Sequence, residues 1–375
     1  MTELTPTEPI SAESTSAIPT PSDSVSADSA SADLMSADLT LMGPRAWEAR
    51  LQQDPGEIIP LLPAGSVPPA ALTPAEPPKS GILNIDKPAG QTSHDVVAAV
   101  RRASGERRVG HAGTLDPMAT GVLVVCLGSA TRVIEEIQVM PKAYRARVRL
   151  GERTSSGDAE GSVIQTRDAS SITREAVEAA LKQFRGEILQ VPPMVSALKH
   201  QGKRLYDLAR QGIEVERAPR PVTVHALTLS DWEPPEFTLE IEASKGTYVR
   251  AIADDLGEAL GVGAHLVALA RTKVGVFTLE GAERLPRVVE AFVEGWWPTL
   301  LYPLDTALLA YAAMVADAPR EAALRNGQQI DGPAPGPEAT AQVRVYDPDG
   351  RFIGLVAWDD VTEAWQPTRI FPKLR

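Results

Sequence analysis

The residues best suited to chemistry fall in one short stretch, Arg108-Val-Gly-His-Ala-Gly-Thr-Leu-Asp-Pro-Met-Ala-Thr-Gly-Val-Leu123. Three glycines, a proline, a histidine and an aspartate stand there directly before an apolar run. Such a loop brings backbone close to a ligand and fixes Asp116 on a rigid base. A carboxylate held in this way can serve as nucleophile or as general base. The same spacing also suits an Asp-Pro turn in which Asp116 only bonds neighbouring amides. His94, His200, His225 and His265 are scattered and suggest no metal site. The lone thiol, Cys126, sits in the apolar run and reads as core filler rather than nucleophile.

Stepping outward from the loop, Gly81–Ile85 reads as a strand closed by Asp86-Lys-Pro-Ala-Gly90. Thr92 or Ser93 can cap a helix that carries Val96, Val97 and Val100 on one side. Gly121–Leu127 is an unbroken apolar run, expected as a buried strand. Ala143–Leu150 alternates: Tyr144, Ala146, Val148 and Leu150 face one way, and Arg145, Arg147 and Arg149 the other. Thr173 starts a helix with Val177, Ala180, Leu181 and Phe184 at helical spacing. Strands are expected at 222–230 and 237–243, and a helix from Val249 to Leu260 closed by Gly261. Arg250 lies near the start of that helix, where the dipole disfavours a cation, so a specific partner is expected. A hairpin follows at 341–356, turning on Asp347-Pro-Asp-Gly350. Strands and helices mix without a regular βαβ repeat, so the expected class is α+β, a mostly antiparallel mixed sheet with flanking helices.

The 375 residues allow two compact domains plus extra segments. The expected divisions are an acidic Ser/Ala/Pro-rich extension and linker over 1–76, a main domain over 77–298 and a small β-rich module over 299–375. A short helix, Ala46 to Gln52, is also expected within the extension. Net charge is −12, yet residues 1–40 alone hold seven acids and no Lys or Arg, whereas 81–220 hold 21 basic and 16 acidic side chains. That local surplus permits phosphate binding. Arg101, Arg102, Arg107 and Arg108 form one basic group, and Lys199, Lys203, Arg204 and Arg210 another; each also suits an ordinary solvated face. No apolar stretch approaches the ~18 residues needed to span a bilayer, and the N-terminus lacks the pattern of a signal peptide. With a single cysteine, a reducing cytoplasmic setting is expected.

The stretch Gly110–Leu123 resembles the signature of the TruB family of tRNA pseudouridine synthases, and four further segments match that family in order. They are Gly81–Ser93; Lys142–Gly151 running on to Asp158; Pro192–Tyr206 with Ala209-Arg210; and Ser244–Arg250 with Asp254-Asp-Leu-Gly257. The match spans residues 81 to about 285 of this sequence. The resemblance implies a pseudouridine synthase fold with a C-terminal PUA-like RNA-binding module. It also implies isomerisation of uridine 55 in the TΨC arm of tRNA. By position, Asp116 takes the catalytic aspartate's place, Tyr144 that of the tyrosine stacking on uracil, and Arg250 that of the arginine pairing with the aspartate. His111, Tyr248 and Leu269 match residues lining the nucleotide pocket.

Residue chemistry is consistent with those roles. Pseudouridine formation breaks the bond from ribose C1′ to uracil N1 and rejoins the ring through C5. No group donor or redox change is needed, so neither cofactor nor metal is expected. The carboxylate can attack C1′ or take the C2′ proton to give a glycal. A neighbouring arginine is expected to depress the carboxyl pKa, typically by about 1–3 units. Tyr144 is the candidate base for the C5 proton, although a phenol with an ordinary pKa near ~10 needs help. The target base must be extruded from folded RNA, which phosphate contacts can offset. The expected partner is the tRNA TΨC stem-loop, bound by a monomer without membrane or guide RNA. Guide-dependent relatives usually carry basic tails, whereas the N-terminal extension here is acidic. The C-terminal module is acidic as well, which weighs against strong phosphate binding by it. A tRNA-folding chaperone is the reading from another class; the presence of both Asp116 and Arg250 argues for catalysis.

Overall fold

The computed structural model describes residues 80–194, 196, 199–200, 203–204, 208, 212–213, 215–335 and 342–372. The expected extension over 1–76, its short helix, and the side chains of Lys199, Lys203, Arg204 and Arg210 lie outside the described residues.

A ten-stranded mixed sheet forms the frame. Its strands include β1 (Gly81–Lys87), β2 (Val109–His111), β3 (Thr120–Leu127), β4 (Lys142–Leu150), β5 (Gly186–Gln190), β6 (Arg220–Glu233), β7 (Glu236–Ala243), β8 (Ala264–Val274) and β9 (Glu283–Arg284). They run in the order β9-β1-β3-β8-β4-β7-β6-β5, with β2 alongside β3. Only β1–β9 and β3–β8 pair in parallel; the other pairs named here are antiparallel. The predominantly antiparallel mixed sheet agrees with the α+β expectation.

β3 shows why its sequence lacks alternation. Leu123, Val125 and Leu127 face one hydrophobic core, and Val122, Val124 and Cys126 face another on the opposite side. A strand covered on both faces has no polar side to display. Cys126 is fully buried, and burial pushes its thiol up to about 12. β4, by contrast, is covered on one face only. Ala146, Val148 and Leu150 are buried, while Arg145 pairs with Glu240 and Arg147 with Glu236 on neighbouring β7 and with Glu233 at the end of β6. Each of these arginines thus faces at least one carboxylate at the surface, where solvent and salt weaken the pairing.

The helices are α1 (Ser93–Ser104), α2 (Ile134–Val139), α3 (Arg174–Leu181), α4 (Val249–Ala259), α5 (Leu285–Glu294) and α6 (Ala318–Arg325). α1 begins with a capping box, Thr92 accepting from the Asp95 amide while the Asp95 carboxylate accepts from the Thr92 amide. Its Val96, Val97 and Val100 join Ile252 and Leu256 of α4 and Val288 of α5 in one core. Among the described residues no helix is long and apolar enough to cross a membrane.

A second, four-stranded sheet follows: β10 (Ala312–Val315), β11 (Gln342–Tyr346), β12 (Phe352–Asp359) and β13 (Ala364–Ile370), side by side in that order. The Asp-Gly hairpin joins β11 and β12, with register from Gln342 opposite Ala357 to Tyr346 opposite Phe352. β10 pairs with β11 in parallel. Polar contacts weld this sheet to the larger frame. Arg132 donates to the Ile370 carbonyl at 2.7 Å, Arg369 donates to the Arg132 carbonyl at 2.8 Å and pairs with Glu136, and Arg132 lies over the Phe371 ring. Deeper inside, fully buried Arg344 donates to the Tyr346 hydroxyl, which donates to Asp305 at 2.6 Å.

Candidate active site

The glycine loop between β2 and β3 is held through its carbonyls. Lys87, at the end of β1, is fully buried and donates to the carbonyls of Pro88, Gln91 and Pro117 at 2.8, 2.6 and 3.1 Å. Burial pushes its ammonium down to about 8. Arg271 on β8 is 2% exposed and donates to Val122, Gly113 and Thr114 carbonyls at 2.7, 3.0 and 3.3 Å. Ser93, at the start of α1, accepts from the Leu115 amide at 2.8 Å. Gly121 has to be glycine: its φ is +94°, and a Cβ there would meet the Arg271 carbonyl oxygen at 2.3 Å.

The loop presents Asp116 to α4. Arg250 lies 3.0 Å through Nε from an Asp116 carboxylate oxygen. The arginine side chain is 3% exposed, whereas Asp116 keeps 34% of its side chain open. Arg250 Nη1 also faces Asp158 at 3.5 Å and donates to the Ser156 carbonyl at 3.0 Å. Asp158 is in turn fixed by the Ser156 hydroxyl at 2.5 Å and the Glu160 amide at 3.1 Å. One buried guanidinium thus bridges two carboxylates, which explains a cation near a helix N-terminus. Asp116 departs from the expected pKa depression. Burial raises its carboxyl above the ordinary value, and Arg250 opposes that rise without cancelling it.

The other expected pocket residues surround this pair. Tyr248 precedes α4, and Gln190 at the end of β5 fixes its backbone by two bonds, accepting from its amide at 2.7 Å and donating to its carbonyl at 3.0 Å. Burial raises the Tyr248 phenol, with Asp116 as a further charge acting on it. Leu269 is buried on β8, opposite Ala146 of β4. Tyr144, half-buried, stands directly opposite Arg271 in the same strand pair. His111 Nδ1 accepts from the Gly113 amide at 3.3 Å; burial and Arg271 push the ring below its ordinary pKa.

Four polar residues here carry no sequence pattern. Lys87 and Asp158 lay inside the matched segments without a role, while Gln190 and Arg271 lay outside them. Their partners are mostly carbonyls and amides distant in sequence, so neither periodicity nor spacing marks them. A charged residue in an otherwise apolar stretch was the available signal for Arg271. Among the described residues no three His, Cys, Asp or Glu side chains are grouped to hold a metal ion.

A mixed sheet that holds Asp116 against a buried arginine agrees with what the resemblance to pseudouridylate synthases implies, and comparison with known proteins gives the family. Residues 101–249 match the TruB family pseudouridylate synthase N-terminal domain. Residues 250–309 match the tRNA pseudouridylate synthase B C-terminal domain, and 317–369 the C-terminal domain of pseudouridine synthase II TruB. The chain is 46% identical over 298 residues to tRNA pseudouridine synthase B of Gloeobacter violaceus, covering 78% of this chain and 99% of that one. It is 42% identical over 295 residues to the Haemophilus influenzae protein of the same name, covering 77% and 92%. Among solved structures, a Cbf5-Nop10-Gar1 complex matches with a TM-score of 0.58 at 26% identity, over 75% of this chain and 78% of that one. An archaeal box H/ACA sRNP Nop10-Cbf5 complex matches with a TM-score of 0.61 at 22% identity, over 83% and 95%, and shares the fold. The chain belongs to the TruB family of pseudouridylate synthases and is an isomerase.

Proposed function

We propose that this enzyme converts uridine 55 in the TΨC arm of tRNA to pseudouridine, with Asp116 as the catalytic carboxylate acting on an extruded uridine. The observation that carries the reading is the Asp116–Arg250 pair, in which the cation is buried and the carboxylate remains open. An anion locked from behind and accessible in front is what attack at ribose C1′, or removal of the C2′ proton, requires. Arg250 orients the carboxylate and favours its charged form against the burial that raises its pKa. Tyr144 and Leu269 supply an aromatic platform and an apolar wall on which the detached uracil can turn, with Tyr248 and His111 at the border. A cleaved base must stay while it rotates, and apolar contact restrains it without fixing one orientation.

tRNA is the favoured substrate because the relatives named for it are 42–46% identical, whereas the structures named for H/ACA complexes are 22–23% identical. The boundaries 77–298 and 299–375 divide the synthase domain from a C-terminal module that contributes RNA contacts.

Tritium release from a tRNA transcript labelled at uridine C5 tests the reading, with Asp116→Ala alongside. Wild type is expected to release tritium and the variant none. Phosphate contacts dominate RNA affinity, so the variant should bind tRNA within about tenfold of wild type. Turnover near wild type in the variant would sink the assignment of Asp116. Binding without release by wild type would point to a chaperone.

A further inference from the structure

We infer that Gln190 is a positioning residue for the reaction: it stands in for the side-chain cap that α4 lacks and thereby sets where Arg250 meets Asp116. The inference rests on the function proposed above.

The end of β5 is turned against hydropathy. Leu189 and Val191 are 72% and 45% exposed, while Gln190 between them is 2% exposed. Burying an amide in preference to two apolar side chains costs free energy unless the amide finds partners inside. It finds two, both on one residue. Oε1 accepts from the Tyr248 amide at 2.7 Å, and Nε2 donates to the Tyr248 carbonyl at 3.0 Å. The side chain thus makes with Tyr248 the two-way exchange that a paired strand residue makes with its neighbour.

What it grips is the start of the helix that carries Arg250. Tyr248 is the residue at which α4 begins, and its own side chain makes no capping bond. Its carbonyl accepts from the Ala251 and Ile252 amides at 3.1 and 3.2 Å, so the helix starts where that carbonyl is held. No acidic side chain lies in the first turn to settle the remaining amides. Arg250 is the second residue of the helix, with its guanidinium 3.0 Å from Asp116 and 3.5 Å from Asp158. A shift in the start of α4 carries that guanidinium and Tyr248 with it. Asp116 would stay behind, because Lys87, Ser93 and Arg271 hold its loop independently. The two halves of the ion pair therefore have separate supports, and Gln190 belongs to the arginine half.

The test uses the full chain, with enzyme in excess over a tRNA transcript carrying tritium at uridine C5, across a pH series. Gln190→Glu keeps the shape of the side chain and changes one group. As the neutral acid it offers an oxygen to the Tyr248 amide and a hydroxyl to the carbonyl, as glutamine does. As a carboxylate it sets an anion against that carbonyl, and burial raises the pKa at which this happens. Each rate is divided by the wild-type rate at the same pH, which removes the limb due to Asp116. The ratio for Gln190→Glu is expected near one at the acid end, falling by about 10²-fold as the carboxyl ionises, the scale of a misplaced catalytic group. Gln190→Met, of similar length and without hydrogen-bonding groups, is expected about 10²-fold down at every pH. Both should bind tRNA within about threefold of wild type, since phosphate contacts dominate affinity.

A Gln190→Glu ratio that does not change with pH would overturn the inference, and that arm decides the matter even where Gln190→Met does not fold. A wild-type rate in Gln190→Met would overturn it too. So would a loss of tRNA affinity matching the loss of rate, the mark of a general folding defect. Failure of the proposed function itself is separate: wild type would then release no tritium.

Discussion

Asp116 and Arg250 form a pair whose two members are treated unequally by the fold. The guanidinium is sealed in, bridging Asp116 and Asp158, while the Asp116 carboxylate stays partly open. Burial has the larger effect and moves the Asp116 pKa above its ordinary value of 3.8. The ionised form is lost as pH falls through the raised pKa, so the acid limb of the single-turnover rate is expected above the ordinary value for an aspartate. Arg250→Met removes the opposing influence, and the limb should then move further toward alkaline pH, with a lower plateau. A pH–rate profile of both proteins checks this; a limb that stays put in the variant would mean that Arg250 does not act on the carboxylate that limits the reaction. Removing one partner of a buried pair costs about 3–5 kcal/mol, so the comparison belongs at a temperature well below melting.

At the scale of elements, the site depends on β3 and β8 meeting in parallel just where the loop enters the sheet. Their register places Gly121 opposite Arg271, with Thr120 opposite Ala270. Gly121→Ala would press a methyl group against the Arg271 carbonyl and hold a non-glycine residue at φ +94°. We expect it to destabilise the protein by at least about 1–3 kcal/mol and to lower activity more than stability alone explains. Urea titration and tritium release on the same preparation separate the two effects. The local elements themselves were legible in the sequence. The unbroken Gly121–Leu127 run announced a buried strand, the Ala143–Leu150 alternation a two-faced one, and Thr92 or Ser93 the start of α1. The long-range pairings were not. No residue of β8 announces that it will insert between β3 and β4, and its buried Arg271 finds its partners some 150 residues away. The site was legible to the extent that Asp116, Tyr144 and Arg250 lie in recognisable segments. The residues that hold them, Lys87, Gln190 and Arg271, mainly grip backbone, and backbone is the same everywhere in a sequence.

Across the whole molecule, the residues of the candidate site and their supports fall between Lys87 and Arg271, in one continuous sheet with its covering helices. Deleting residues 1–76 is therefore expected to leave single-turnover activity on tRNA unchanged; a large loss would assign the extension a part in the reaction. The second sheet stands differently, because its attachment through Arg132, Arg369 and Phe371 reaches α2 and the turn before it. The carbonyl grip on the loop that carries Asp116 has a consequence for engineering. Lys87 and Arg271 hold Gly113, Thr114, Pro117 and Val122 by oxygens that every amino acid possesses. Side chains at exposed loop positions such as 114 and 117 are thus decoupled from the loop's placement. A library diversified there can search for altered RNA preference without dislodging the carboxylate, whereas one that includes 87 or 271 trades that freedom for scrap.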